Sequence, residues 1–201
     1  MVNPIVKAWQ HWSVPLVLML LAGLVVWFAP DEQTLGSGIK AVYVHVALIW
    51  TGMAGLMLLA PLGIALLGWP NLRGQGWIQT LGWVALAFFM AGLGTSVIAA
   101  RVNWGDVFWQ EPRNAAMLKV VAVALIVLIL TSWPLQVRLK GLLYLGLTGF
   151  LVWSLFTTEL ILHPRNPIQS STSNAIQGTF GGVFVLCALL GVWLISYFQS
   201  D

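Results

Sequence analysis

Charge is what this sequence has least of. Only 7% of its 201 residues are Asp, Glu, Lys or Arg, with six acids against nine bases. Hydrophobic residues make up 59%, and mean hydropathy is +0.89. An ordinary water-soluble domain carries about 25% charged residues, so that class is excluded. The net charge of +3 is small and scattered along the chain, which argues against nucleic acid as a partner. The single cysteine, Cys187, excludes an internal disulfide or a CxxC thiol pair. It lies within an apolar run and reads as a small packing residue. The sequence has no glycine loop able to cradle phosphate, no nucleophile elbow, no zinc-ligand spacing and no repeat of fixed period. Asp106 and Glu111 are too few for paired-carboxylate hydrolysis.

What the chain does have is long apolar runs. Six can be drawn, over residues 14–29, 39–67, 77–100, 114–133, 141–162 and 175–198, each near the roughly 20 residues that span a bilayer. The expected fold is all-α: a polytopic membrane protein forming one six-transmembrane-helix domain over residues 1–201. The first run is short, and Lys7 before it raises the alternative of a signal peptide. Trp27 and Phe28 stand where a small-residue cleavage site would fall, so the run is read as a span. Pro61 is expected to kink the second run. Gly52, Gly55, Gly92, Gly94, Gly181 and Gly182 are expected to let helices approach closely.

Six spans put both ends of the chain on one side of the membrane. Lys7, Arg73, Arg138 and Lys140 share that side, without acids in their turns. The other side mixes bases with Asp31, Glu32, Asp106, Glu111 and Glu159. The Lys/Arg count is nearly even, so the side with bare positive turns is read as cytoplasmic.

Residues 101–113, RVNWGDVFWQEPR, join the third run to the fourth. They hold Arg101, Asp106, Glu111 and Arg113, with Trp104, Phe108 and Trp109 among them. A connector of this kind cannot lie in hydrocarbon without helical partners for its backbone, so it belongs at a membrane surface. Aromatic faces bordered by arginines there suit a flat, apolar molecule that carries carboxylates. The simpler reading of the aromatics is an interfacial belt, which does not account for the interleaved arginines.

Three histidines occur. His11, between Trp9 and Trp12, reads as an interfacial anchor. His45 lies about one turn inside the outer end of the second run, and His163 at the outer end of the fifth. Either one alone reads as a buried hydrogen-bonding residue. The pair, from separate helices at similar depth and on the side of the aromatic connector, points to function. Imidazole is an axial ligand of haem iron. Two histidines without a third ligand candidate at that depth suit six-coordinate haem b better than tetrahedral zinc. Glu159, four residues before His163, shares its helix face. It could hold the ring N–H of His163 and fix its orientation, or simply cap and solubilise the helix end. Trp104, Phe108 and Trp109 could stack on a porphyrin, and Arg101 and Arg113 could hold its propionates. Arg165 reads as a solvated loop charge.

With these residues in place, the chain resembles the haem-handling membrane proteins of cytochrome c maturation, the CcmC type. That family has six spans and an outer loop of the form WGxWWxWDxR between the third and fourth. It has one histidine near the outer start of the second span and another near the loop after the fifth. Tyr43-Val44-His45-Val46 matches the first histidine's setting, and His163 matches the second. Trp104-Gly105 matches the start of the loop motif and Arg113 its final arginine. Val107, Phe108 and Gln110 stand where the motif has tryptophans, and Glu111 where it has aspartate. The resemblance implies haem presentation or transfer for c-type cytochrome assembly at the outer face of a bacterial-type inner membrane. It implies as partners an ATP-binding cassette complex that drives haem release, a small single-span helper and a periplasmic haem chaperone. The chain has no nucleotide motif, so it is expected to be a carrier and not an enzyme. The alternatives are a one-haem cytochrome b-like electron-transfer subunit, and a haem-free scaffold or permease.

Overall fold

The computed structural model of the chain describes residues 11–71, 74–107, 109–158 and 167–199. Lys7, Arg73, Phe108, Glu159, His163 and Arg165 lie outside the described residues, and so do the expectations placed on them. Among the described residues every regular element is a helix: α1 Ser13–Trp27, α2 Ile39–Gly68, α3 Gln75–Trp104, α4 Pro112–Ser132, α5 Val137–Thr157, the short α6 Pro167–Ser170, and α7 Asn174–Phe198. Five of them, α2, α3, α4, α5 and α7, are long and apolar enough to cross a membrane. The chain is a multi-pass helical membrane bundle. The 15 residues of α1 extend about 22 Å, whereas the 30 residues of α2 and of α3 each extend about 45 Å.

Helix ends follow backbone signals more closely than hydropathy. The third apolar run fades at Ala100, yet α3 continues through Arg101, Val102, Asn103 and Trp104. It stops where Gly105 turns left-handed at φ 77° and donates its amide to the Arg101 carbonyl at 3.0 Å, a glycine C-cap. The first third of the expected connector is therefore the last turn of a helix. Pro112 opens α4 at the first helical position, where its missing N–H costs nothing. Helix α5 starts at Val137, so Arg138 and Lys140 lie in its first turn, not in a basic loop. Between the fifth and sixth apolar runs, Pro167–Ser170 is a helical turn that buries Ile168. Pro61 lies inside α2, which continues past it.

Helix α2 is the centre of the bundle and packs most extensively on α3, then on α5 and α7. Its Leu56, Leu59 and Leu66 are buried against Leu86 and Phe89 of α3 and Leu147 and Leu151 of α5. Apolar contact alone gives little net association in lipid, so close approach and interhelical hydrogen bonds carry the packing. A Cβ on Gly63 would meet the Gly141 carbonyl oxygen at 2.7 Å, and one on Gly141 would meet the Gly63 carbonyl oxygen at 2.7 Å. The α2 and α5 backbones touch there as only glycines allow. Gly52, Gly55 and Gly92 also mark close approaches, as expected, but nothing lies within 4 Å of a Cβ on Gly94 or Gly181. At the end where α3 begins, the Gln79 amide donates to the Leu128 carbonyl (2.8 Å). Its oxygen accepts from Thr131 Oγ1 (2.9 Å) and Tyr144 Oη (2.6 Å), tying α3, α4 and α5 together.

Helix α1 packs chiefly on α7. Trp12 meets Trp193 and Tyr197 edge-on, with centroids at 5.3 and 5.1 Å, which puts the start of α1 and the end of α7 at one end of the bundle. At the other end the loop from Pro30 to Gly38 folds on Glu32. That carboxylate accepts from Thr34 N (2.8 Å), Thr34 Oγ1 (2.6 Å) and Leu35 N (2.9 Å). These bonds, the Thr34 hydroxyl foremost, hold its pKa below the ordinary value of 4.5. Asn103 Nδ2 donates to the carbonyls of Gly38 (3.1 Å) and Ala99 (2.8 Å), fastening this loop to the end of α3.

Candidate functional site

A chamber of about 420 Å³ opens where α2 and α4 begin and α3 and α5 end. Its longest wall is one stripe of α2: Val42, His45, Val46, Ile49, Trp50 and Met53. These recur at the three- and four-residue steps of a single helix face. Leu93 of α3, Met117 of α4 and Leu155 of α5 continue the apolar part. The polar part holds His45, Ser96, Trp104, Glu111, Arg113 and Asn114, with Pro167 at the edge. At about 420 Å³ the chamber falls within the roughly 300–1,000 Å³ of small-molecule and cofactor sites, which are mostly apolar with a few convergent polar groups.

The geometry at His45 is specific. Its Nδ1 lies 2.8 Å from the carbonyl oxygen of Gly92 on α3. A carbonyl only accepts, so Nδ1 carries the proton, and in the neutral form of the ring the lone pair is on Nε2. This is the tautomer a metal-ligating histidine adopts when its other nitrogen donates to a backbone carbonyl. Gly92 makes the bond possible through its lack of a side chain: a Cβ there would lie 2.7 Å from the Ile49 amide nitrogen. The two helices are close enough for the bond because this residue is glycine.

The chamber's charges come from the start of α4. Glu111, the N-cap residue, is only 2% exposed although it precedes a helix at a membrane surface. Arg113 is half-buried, and its Nε has no hydrogen-bond partner among the described residues. One cationic and one anionic side chain therefore face the same space across Pro112. Among the described residues, no three His, Cys, Asp or Glu side chains converge as a metal-binding group.

The structure thus brings together His45, Trp104 and Arg113 of the expected site. It does not bring Arg101 or Trp109 into the chamber wall. Both are exposed, Trp109 to 72%: Arg101 lies in the last turn of α3 but outside the chamber-lining set, and Trp109 follows the turn at Gly105 that ends the helix. Val107 instead lines the wall and is buried. Sequence reasoning missed Glu111, Asn114 and Trp50 as chamber residues. For Trp50 a signal was present, the eight-residue span from Val42 at helical spacing through His45. For Glu111 the one signal was its alignment with the aspartate of the loop motif, since an acid before a helix-opening proline ordinarily sits in water. Trp50 is backed from α7 by Phe180 and Phe184, edge-on at 5.2 and 6.2 Å.

Compared with protein-family models and with curated proteins, the chain matches neither a family nor a characterised relative.

Proposed function

We propose that this chain is a haem-binding membrane subunit of the CcmC type, presenting or transferring haem b for c-type cytochrome assembly. The observation that carries the reading is His45, whose ring proton is committed to the Gly92 carbonyl and whose Nε2 lone pair belongs to a residue of the chamber wall. His45 is one axial ligand in this reading and His163 the other. His163 lies in sequence between Leu155 and Pro167, both of which line the chamber. Trp104 stacks on the ring, with Phe108 beside it, and Arg113 holds a propionate through a charge-assisted bond worth roughly 1.5–3 kcal/mol. Arg101 and Trp109, exposed at the same end, contact haem as it enters or leaves.

Glu111 suits a carrier better than a permanent holder. Its carboxylate balances the charge of Arg113, so the polar shell attracts an anion weakly enough for release. The chamber faces the outer surface of a bacterial-type inner membrane, and both chain ends are cytoplasmic. An ATP-binding cassette complex, a single-span helper and a periplasmic haem chaperone are the partners. Glu159 orients His163.

The test replaces His45 and His163 separately by alanine and records haem content and the reduced spectrum of the purified protein. Loss of an axial ligand should lower haem affinity by more than about 100-fold, beyond the effect of removing a ligand's supporting group. Two variants with wild-type spectra overturn the reading. Wild-type protein that gives haem to an apo-acceptor acts as a carrier. Protein that retains haem and passes electrons to quinone is instead a one-haem cytochrome b-like subunit.

A further inference from the structure

Lys119 is the one charged residue of α4 after Arg113, and it does not line the chamber. The helix has two working faces. Arg113, Asn114 and Met117 face the chamber, while Pro112, Ala115, Ala116 and Lys119 line a separate groove of about 500 Å³ against α5. Across the groove lie Trp153, Ser154, Thr157 and Thr158. Ala115 and Ala116 are small, which leaves the space open.

A lysine within an apolar span is costly without an anion. Lys119 is seven residues past the start of α4, about 10 Å along its axis. Side chains on a helix lean toward its N-terminus, so the ammonium reaches for the headgroup layer at the chamber end. No carboxylate among the described residues lines the groove. Thr157 Oγ1 donates to the Trp153 carbonyl (2.9 Å) and Thr158 Oγ1 to the Ser154 carbonyl (2.8 Å). Their protons are committed, so toward a ligand these hydroxyls act as acceptors. Trp153 is exposed and lies one turn before the end of α5, and indoles near span ends anchor to headgroups. The groove therefore offers one cation, hydroxyl oxygens that accept, and an aromatic edge.

We propose that this groove binds an anionic phospholipid with a hydroxylated headgroup, Lys119 holding the phosphate and the threonine oxygens accepting from the headgroup hydroxyls. The site is separate from the chamber and does not depend on what the chamber carries.

The test uses purified, delipidated full-length protein in neutral detergent, with lipid binding followed by native mass spectrometry. Wild type should prefer phosphatidylglycerol to phosphatidylcholine. Lys119→Gln should weaken phosphatidylglycerol binding about fivefold and leave phosphatidylcholine unchanged, while Lys119→Arg keeps the preference. Ala116→Leu, which fills the groove, should reduce retention of both lipids. Haem content of these variants should equal that of wild type, and His45→Ala should keep the lipid preference, so this proposal and the haem reading fail independently. Equal binding of the two lipids by wild type overturns the proposal. So does an unchanged preference in Lys119→Gln, or the loss of a co-purifying membrane helix from that variant with lipid binding intact.

Discussion

The two ends of the bundle use polar side chains in opposite ways. At the end where α3 begins, Gln79 closes a set of bonds with Leu128, Thr131 and Tyr144 that links three helices. At the other end, His45, Glu111 and Arg113 border a chamber. The first arrangement fastens helices together. The second has its histidine fixed from behind by Gly92 while its charges face a space. Composition does not separate these roles, since each end has a few polar groups among apolar helices. What separates them is whether the groups are turned on one another or on a shared volume.

Gly92→Ala should break this contrast most sharply. The added Cβ meets the Ile49 backbone at 2.7 Å and forces α2 and α3 apart, lengthening the His45 bond. We expect haem affinity to fall about 10- to 100-fold, the usual cost of losing a ligand's supporting group, with a shifted reduced spectrum. Unaltered affinity in the folded variant would show that the carbonyl does not position the ring.

Gln79→Leu attacks the opposite end. Thr131 and Tyr144 lose their shared acceptor, at an expected cost of about 1–3 kcal/mol, read as a lower unfolding midpoint in detergent. Haem content of the folded fraction should stay at the wild-type level. A haem defect as large as that of Gly92→Ala would mean that the ends are not separable.

The smallest effect concerns the loop beside the chamber. Glu32 has its pKa held below 4.5 by the Thr34 and Leu35 bonds. A depressed carboxylate pKa contributes stability that is present above the ordinary value and is lost as pH falls through the lowered one. Protection of the Thr34 and Leu35 amides from hydrogen exchange, corrected for intrinsic rates, should therefore decline only below about pH 4.5. In Glu32→Gln the protection should be weaker at neutral pH and flat across that window. The same acid-dependent decline in Glu32→Gln would assign it to another group.

The span pattern was legible because a bilayer demands about 20 apolar residues at each crossing, and hydropathy measures that demand directly. Helix ends were less legible. The stop at Gly105 is a backbone event, and Arg138 and Lys140 are polar yet helical. In the site, His45, Trp104 and Arg113 could be placed from depth and from their shared end of the bundle. The His45–Gly92 bond could not, because it depends on the register of α2 against α3, 47 residues apart in sequence. Glycines posed the same problem: Gly92 and Gly94 look alike in sequence, but only Gly92 faces a neighbouring helix within 4 Å.

The unequal lengths of α1 and α2 also act on the surrounding lipid. A helix of 15 residues and one of 30 stand in the same molecule, and a bilayer of uniform thickness cannot match both. The membrane must thin beside the short helix, or the long ones must lean. Tilt of α2 and α3 would leave the bilayer even, whereas thinning beside α1 would set a thickness gradient that a neighbouring protein meets on a definite side.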